Sequence, residues 1–383
     1  MLPLLLLLLL LSTLTPATLL NLTTHLTPLP PSTPLSFLHL AGTHNTLSFP
    51  PLSHPHRHTT PFSLTHDHPL RAQLHLGIRF LDLRLHHTNN HLHPYHGPER
   101  LPISLDEVFD TLATFLVECP GETVIARIAE NTSPFHRAGV VREETWVPPW
   151  RGKRLRPEKE GEEPLGGYNT RGFNATLWWH LEQRNVTEFI WTPARPRRIP
   201  TLGEVRGKIV VLQDFPGAWE RGLPFWDGRL VMVQDVWRVG SIPRKLEVVR
   251  RFWVKMARER EKGEEGKLVV SFVSGSFCEG LVPPRWVAER LWEVVWGWFG
   301  GERSEPRESS EDPTFQQFHD PTSPENHDIR VKPIGMVVGD FLTAAIIRSI
   351  VRFNYEPGGP GEGLGVETGW EKWRAGGWRR DTL

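Results

Sequence analysis

Three side chains suited to acid–base and anion-binding chemistry follow short apolar runs of this chain. His44 lies in the segment GTHN, Arg84 ends the segment GIRFLDLR, and His96 lies in PYHG. One imidazole can take a proton from an attacking hydroxyl, the other can protonate a leaving oxygen, and a guanidinium can stabilise charge on phosphoryl oxygens. This combination predicts the cleavage of a phosphodiester.

The elements that must position these residues are short apolar runs that alternate with segments of helical spacing. Seven predicted strands span residues 36–40, 79–85, 123–128, 208–212, 230–233, 268–273 and 334–338, with an eighth at 188–191. Helical spacing covers Ser104 to Val117 and Lys245 to Arg260. Alternating strands and helices predict a parallel sheet. The expected fold is an α/β, (βα)8 TIM-barrel-like domain, either regular or distorted and incomplete.

Polar residues stand where the predicted strands end. In a barrel of this kind the active site lies at the carboxyl ends of the strands. The residues that fall there are His44, Arg84, Glu130, Asp235 and Asp340. This shared position is a stronger indication of an active site than any one segment alone.

Composition limits the class of protein and its partners. The chain has 383 residues, of which 39% are hydrophobic, enough for one large core. Its 44 basic and 44 acidic residues balance, so no overall field favours nucleic acid or an anionic membrane, and any membrane contact must be local. The two cysteines, Cys119 and Cys278, either form a disulfide in an oxidising compartment or remain separate buried thiols.

The N-terminus indicates the secretory route. Leu4 to Leu11 form an apolar run too short to span a bilayer but typical of a signal-peptide core, and we expect a signal peptide over residues 1–17. Glycosylation sequons consistent with a secreted protein begin at Asn21, Asn131, Asn174 and Asn185. The predicted barrel covers 35–353 with surface insertions at 137–167 and 301–326, and a Gly/Trp-rich tail covers 355–383.

Further segments follow the first three in a fixed order. They are PGETVIARIAEN from Pro120, TLGEVRGKIVVL from Thr201, LVMVQD ending at Asp235 and GMVVGD ending at Asp340. Together these segments resemble the X domain of phosphatidylinositol-specific phospholipase C, in its bacterial single-domain branch. The resemblance implies a secreted phosphodiesterase that acts on a phospholipid, a phosphoinositide above all, at a peripheral membrane surface.

The resemblance also implies a role for each catalytic residue. His44 is the general base for the inositol 2-hydroxyl, and His96 is the general acid for the departing diacylglycerol oxygen. Asp340 orients His44, although an aspartate there could equally cap the helix expected over 342–351. Arg84 is a fixed positive charge against the phosphate, as in the metal-independent relatives.

The need for a metal has two readings. Arg84 stands where the calcium-dependent relatives carry an acidic ligand, which favours catalysis without a cofactor. Asn45, Asp82 and Glu130 match the calcium-binding positions of those relatives, and their oxygen atoms suit Ca²⁺. Alternatively, Asp82 and Glu130 pair with Arg84, and Asp82 then belongs to the catalytic group. We favour the reading without a metal and keep Ca²⁺ as the alternative.

The predicted substrate-binding residues differ from the family pattern. The inositol-binding lysine and arginine of the bacterial family fall at Ala129 and Asp214. Asp235 keeps a carboxylate for ring hydroxyls, and Trp237 replaces the tyrosine that stacks on the sugar. Asn45 and Glu130 complete the predicted substrate-binding set. An aromatic ring and a carboxylate suit a polyol, but the head group stays open.

Two other functions fit a barrel of this kind. A metal-dependent glycerophosphodiesterase or sphingomyelinase-D-like enzyme needs an acidic pair spaced Glu-x-Asp, whose second position is Arg84 here. A non-catalytic secreted binding protein is consistent with Ala129 and Asp214, but His44, His96 and Asp340 argue for turnover.

Overall fold

The computed structural model describes residues 18–50, 61–131, 169–194, 197–217, 220–262, 266–277, 282–299 and 335–368. The predicted signal peptide, the insertions 137–167 and 301–326, Cys278 and residues 369–383 lie outside these ranges. Cys119 is a free and buried thiol. Within the described residues, no helix has both the length and the apolar character needed to cross a bilayer.

The strands are numbered in chain order. They are β1 Thr18–Leu19, β2 Leu40–Thr43, β3 Ile78–Thr88, β4 His91–His96, β5 Glu99–Arg100, β6 Val124–Glu130, β7 Ile209–Asp214, β8 Leu223–Pro224, β9 Val231–Gln234, β10 Leu268–Phe272, β11 Met336–Gly339 and β12 Val366–Glu367. The helices are α1 Leu70–His75, α2 Leu105–Glu118, α3 Phe173–Gln183, α4 Leu202–Val205, α5 Ile242–Glu261, α6 Pro284–Trp298 and α7 Ala344–Val351.

Eight parallel strands form the barrel in the order β8-β7-β6-β3-β2-β11-β10-β9. In the part of the chain that the structure describes, β8 and β9 do not pair, so the barrel is open between them. The predicted TIM-barrel-like fold is confirmed in its incomplete form. β4 pairs antiparallel with the C-terminal residues of β3 and forms a hairpin with it. The hairpin returns the chain toward the barrel at His96.

Seven predicted strands correspond to observed ones, and two details were wrong. The first strand begins later than predicted, because Leu35–Phe37 form a 3-10 helix after Pro34. The predicted strand at 188–191 contains the 3-10 helix Thr187–Phe189 and a single bridge from Ile190 to Ile209. This segment is apolar because Ile190 and Trp191 are buried in the core, and β8 takes the place beside β7.

Local capping explains where the predicted helices begin. α2 starts at a capping box in which Ser104 and Glu107 each accept from the other's backbone N–H. α5 starts after Ser241, whose side chain accepts from Arg244 N. α7 starts after Thr343, whose hydroxyl accepts from Ile346 N at 3.3 Å. The helices predicted at 104–117 and 245–260 are confirmed.

A buried ion pair joins the amino end of the barrel to the N-terminal segment. Arg79 Nε lies 2.9 Å from Glu122 Oε2, and both side chains are fully buried. The other oxygen of Glu122 accepts from the backbone N–H groups of Leu26 and Thr27 at 2.9 and 2.7 Å. The described part of the predicted tail packs here too, since Tyr355 is buried and donates to the carbonyl of His25. This end of the molecule is structural.

Candidate active site

His44 and Asp340 meet because their strands are neighbours. Gly339 and Thr43 pair as the last residues of β11 and β2, and Asp340 and His44 are the residues that follow them. The ring Nδ1 of His44 lies 2.8 Å from Oδ1 of Asp340, which is only 3% exposed. A carboxylate only accepts, so Nδ1 carries the hydrogen and Nε2 is left as a base. Asp340 does not cap α7, because Thr343 does.

A third histidine, His66, which the sequence analysis missed, makes a hydrogen bond to the backbone of His44. His66 Nε2 lies 2.7 Å from the backbone carbonyl of His44 and therefore donates to it. Burial lowers the pKa of His66 to about 4, so this ring is neutral at physiological pH. Phe341 packs near the same ring, with the centroids 6.4 Å apart. His66 therefore holds the backbone at His44.

The ring of His96 lies next to the ring of His44. The two ring centroids are 6.0 Å apart in an edge-to-face arrangement. Nδ1 of His96 lies 2.6 Å from the carbonyl of Ser63 and donates to it, which leaves Nε2 for a ligand. Burial, reinforced by the positive charges of His44 and Arg84, lowers the pKa of His96 to about 4. The ring is therefore neutral at physiological pH.

Arg84 is held by the strand residue two positions before it. Its Nε and Nη2 atoms lie 3.0 and 2.9 Å from Oδ2 of Asp82. Asp82 is fully buried, whereas the side chain of Arg84 is 24% exposed. Asn45 N also donates to Oδ2 of Asp82, at 3.1 Å. Burial favours the neutral acid, but Arg84 and Arg127 hold the pKa of Asp82 well below its usual range.

Arg127 in β6 is a central residue of the site that the sequence analysis missed. Its Nη1 lies 3.1 Å from Oδ1 of Asp82, and its Nη2 lies 2.6 Å from Oδ2 of Asp214. Asp235 Oδ2 is 3.9 Å from the same guanidinium. Burial opposes the charge, but the carboxylates of Asp82, Asp214 and Asp235 raise the pKa of Arg127. The available signal was an arginine inside the apolar run VIARIA, because a buried charge requires partners.

Asn45 combines an unusual backbone with an unpaired side chain. Its φ is 46°, a left-handed conformation that asparagine adopts more readily than most residues. The residue is 2% exposed, and neither atom of its side-chain amide has a hydrogen-bond partner within the described residues. The amide is thus a buried donor and acceptor beside Asp82.

The remaining predicted residues lie in different places. Asp235 follows β9 and is 15% exposed, so it is open to a ligand. Trp237 is 38% exposed, and the Arg238 guanidinium lies 4.6 Å from its ring centroid. Glu130 pairs in register with Leu85, so alternation directs it to the face of β6 opposite Arg127 and Ala129. The register therefore does not group Glu130 with Arg127 and Asp82.

The alternative calcium set is not assembled. Both oxygens of Asp82 are occupied, one by Arg84 and the backbone of Asn45, the other by Arg127. Glu130 faces away from Asp82. Across the ranges that the structure describes, no group of three or more His, Cys, Asp or Glu side chains could hold a metal ion. The donor set present therefore does not fit Ca²⁺.

Comparison with known proteins agrees with the geometry. No family model matches the chain. A 1-phosphatidylinositol phosphodiesterase of Listeria monocytogenes is 37% identical over 103 residues, which is 27% of this chain and 31% of that protein. The sequence match thus spans about a third of the curated relative.

Solved structures match over most of the chain. The phosphatidylinositol-specific phospholipase C of Listeria monocytogenes superposes with a TM-score of 0.58 at 21% identity, covering 88% of this chain and 99% of that one. The enzyme of the same name from Staphylococcus aureus gives 0.59 at 15% identity, covering 91% and 98%. The resemblance that the motifs predict is confirmed for the fold as a whole and for one segment of the sequence.

Proposed function

We propose that this chain is a phosphoric diester hydrolase of the phosphatidylinositol-specific phospholipase C type, which cleaves a phosphoinositide or a related phospholipid. The observation that carries this proposal is the His44–Asp340 contact of 2.8 Å, with the ring of His96 facing His44 at 6.0 Å. Two neighbouring imidazoles, each with one ring nitrogen left for a ligand, can act on the attacking and the leaving oxygen. The names of the matched relatives support the same substrate class.

In the proposed reaction His44 Nε2 takes the proton of the inositol 2-hydroxyl. The freed oxygen attacks phosphorus, the bond from phosphorus to the diacylglycerol oxygen breaks, and His96 Nε2 protonates that oxygen. The products are a cyclic inositol phosphate and diacylglycerol. Because His96 is neutral in the free site, the bound phosphodiester must stabilise its protonated form before it acts as the acid.

Arg84 supplies the positive charge beside the phosphate in this scheme, and no metal cofactor is required. Its guanidinium is partly exposed and is held from behind by Asp82. A preorganised charge of this kind stabilises the transition state without reorganising. The metal-dependent alternatives need an acidic ligand group, which the described side chains do not provide.

Secretion and contact with a membrane surface belong to the same proposal. The leucine-rich residues 1–17 support secretion, as does the sequon at Asn185, which is exposed in the turn after α3. The exposed ring of Trp237 beside Asp235 suits a lipid interface. Export of the full chain with a mobility shift on deglycosylation would support the location, and retention inside cells would contradict it.

Product analysis by phosphorus NMR tests the function. The protein is incubated with phosphatidylinositol, its phosphorylated forms and lysophospholipids, with and without EDTA. We expect a cyclic phosphate product. The rate of its formation should fall by at least about 10²-fold in His44→Ala and in His96→Ala, because general acid and base each contribute about 10² to 10⁴ in rate. His75→Ala is the matched control, because His75 lies on helix α1 and is not one of the proposed site residues. Absence of any cleaved phosphodiester would refute the proposal.

A further inference from the structure

Arg84 belongs to a chain of ion pairs that runs through the barrel interior. Arg84 contacts Asp82, Asp82 contacts Arg127, and Arg127 contacts Asp214. We propose that Arg127 is a positioning residue, which holds Asp82 and thereby sets the direction in which Arg84 presents its guanidinium to the substrate phosphate. This inference rests on the proposed function of Arg84.

The carboxylate of Asp82 has one oxygen for each guanidinium. Arg84 uses Oδ2 through both Nε and Nη2, and Arg127 uses Oδ1 at 3.1 Å. Arginine and carboxylate otherwise prefer a bidentate pair in which both oxygens face one guanidinium. By occupying Oδ1, Arg127 prevents that arrangement. Without Arg127, the carboxylate can rotate and draw Arg84 away from its present direction.

Strand register explains how Arg127 reaches its partners. Arg127 lies abreast of Asp82, and Ala129 lies abreast of both Arg84 and Asp214. Positions 127 and 129 share one face of β6. Because Ala129 offers only a methyl group, the longer side chain of Arg127 extends past it to Asp214. Ala129 and Asp214 are the positions at which the resemblance implies a lysine and an arginine, and here Arg127 supplies the positive charge that contacts Asp214.

The surroundings of Arg127 make it a rigid support. Its guanidinium carbon lies 4.5 Å from the ring centroid of Phe225 and 5.5 Å from that of Phe272. Asp214 is in turn fixed by Trp226, whose Nε1 donates to Oδ1 at 2.7 Å. Arg127 is 2% exposed, so it acts through Asp82 and not by touching the substrate.

Paired lysine substitutions test the proposal. Arg127→Lys keeps the charge but loses the forked geometry that joins Asp82 to Asp214. We expect kcat to fall about 10-fold or more, with KM changed less than about 3-fold, because a misdirected Arg84 fails mainly in the transition state. Arg79→Lys breaks a buried pair at the opposite end of the barrel and should leave kcat unchanged. Asp214→Asn is a second route to the same loss if Arg127→Lys does not fold.

A double-mutant cycle separates positioning from general damage. If Arg127 acts through Arg84, then Arg127→Lys should cost less than about 3-fold in kcat once Arg84→Met is present. Full additivity of the two losses would overturn the inference. So would a wild-type kcat in Arg127→Lys.

A readout without turnover keeps this inference distinct from the proposed function. In ¹⁵N spectra, the Arg84 Nε–H signal should move in Arg127→Lys and stay in place in Arg79→Lys. An unmoved signal in Arg127→Lys overturns the positioning role. If the wild-type protein cleaves no phosphodiester but the signal moves, the proposed function has failed and the positioning of Arg84 stands.

Discussion

Replacing Asp340 by asparagine tests the proposed role of the His44–Asp340 pair in proton transfer. The substitution keeps the size and shape of the side chain but removes its charge. The backbone at this position is fixed independently, because Trp292 Nε1 donates to the Asp340 carbonyl at 2.8 Å. We therefore expect the fold to persist while His44 loses the carboxylate that stabilises its protonated ring.

The expected fall in kcat for Asp340→Asn can be estimated from the contact between His44 and Asp340. With His44 Nδ1 and Asp340 Oδ1 2.8 Å apart, the charge centres are about 4 Å apart. At an effective dielectric constant of about 20, opposite charges at about 4 Å attract by about 4 kcal/mol. That attraction exists only once His44 has taken the proton, so its loss should slow the reaction by about 10³-fold.

The assay is kcat for release of cyclic phosphate, compared between Asp340→Asn and Thr343→Ala. The control removes the actual cap of α7, which should cost about 1 kcal/mol of stability and leave kcat near the wild-type value. A loss of less than about 10-fold in Asp340→Asn would refute the catalytic role of the pair. A similar loss in both variants would show that the effect comes from the fold around residue 340.

Three further outcomes follow from charge and burial. Activity should survive EDTA but fall by about 10²-fold or more in Arg84→Ala, and inhibition by EDTA that Ca²⁺ reverses would contradict this. His96 should titrate near pH 4 by NMR, and at higher pH with inorganic phosphate bound; an unshifted titration would remove it as the acid. Burial lowers the pKa of His25 from 6.5 to about 4. Between these two pH values His25 is therefore protonated in the unfolded chain but neutral in the folded protein. The free energy of unfolding should therefore decrease from pH 6.5 to 4, by up to about 3 kcal/mol from this residue. His25→Gln should flatten that slope in urea titrations, and an unchanged slope would be the contrary result.

The sequence predicts location best for residues that directly follow a strand of the barrel. His44 and Asp340 are far apart in the sequence, since almost all of the barrel lies between them, yet both come directly after short apolar runs. Parallel strands place such positions at one end, so their proximity could be expected without knowledge of the contact. The direction of a side chain was harder to foresee. Glu130 also ends a strand, but its register with Leu85 places it on the face of β6 opposite Arg127.

The sequence could not predict where the barrel is open, because the position of the opening depends on a very short strand. β8 is only the two residues Leu223–Pro224, and its pairing with β7 is set by tertiary contact. The longer apolar segment at 188–191 matched a strand in composition, although its residues are buried by packing and make one bridge. Short apolar runs do not distinguish a strand from a core turn.

Arg127 shows how strand order and charge together extend what a sequence can predict. A buried guanidinium inside a strand requires carboxylates nearby, and in a barrel the adjacent strands are the nearest source of them. The strands beside β6 are β3 and β7. Each carries one aspartate, Asp82 and Asp214, and these are the residues that bind Arg127. The resemblance implies a lysine at 129 and an arginine at 214, so by itself it gives no reason to expect a charge at 127. The requirement that the buried charges of Arg127 and Asp214 balance does give one.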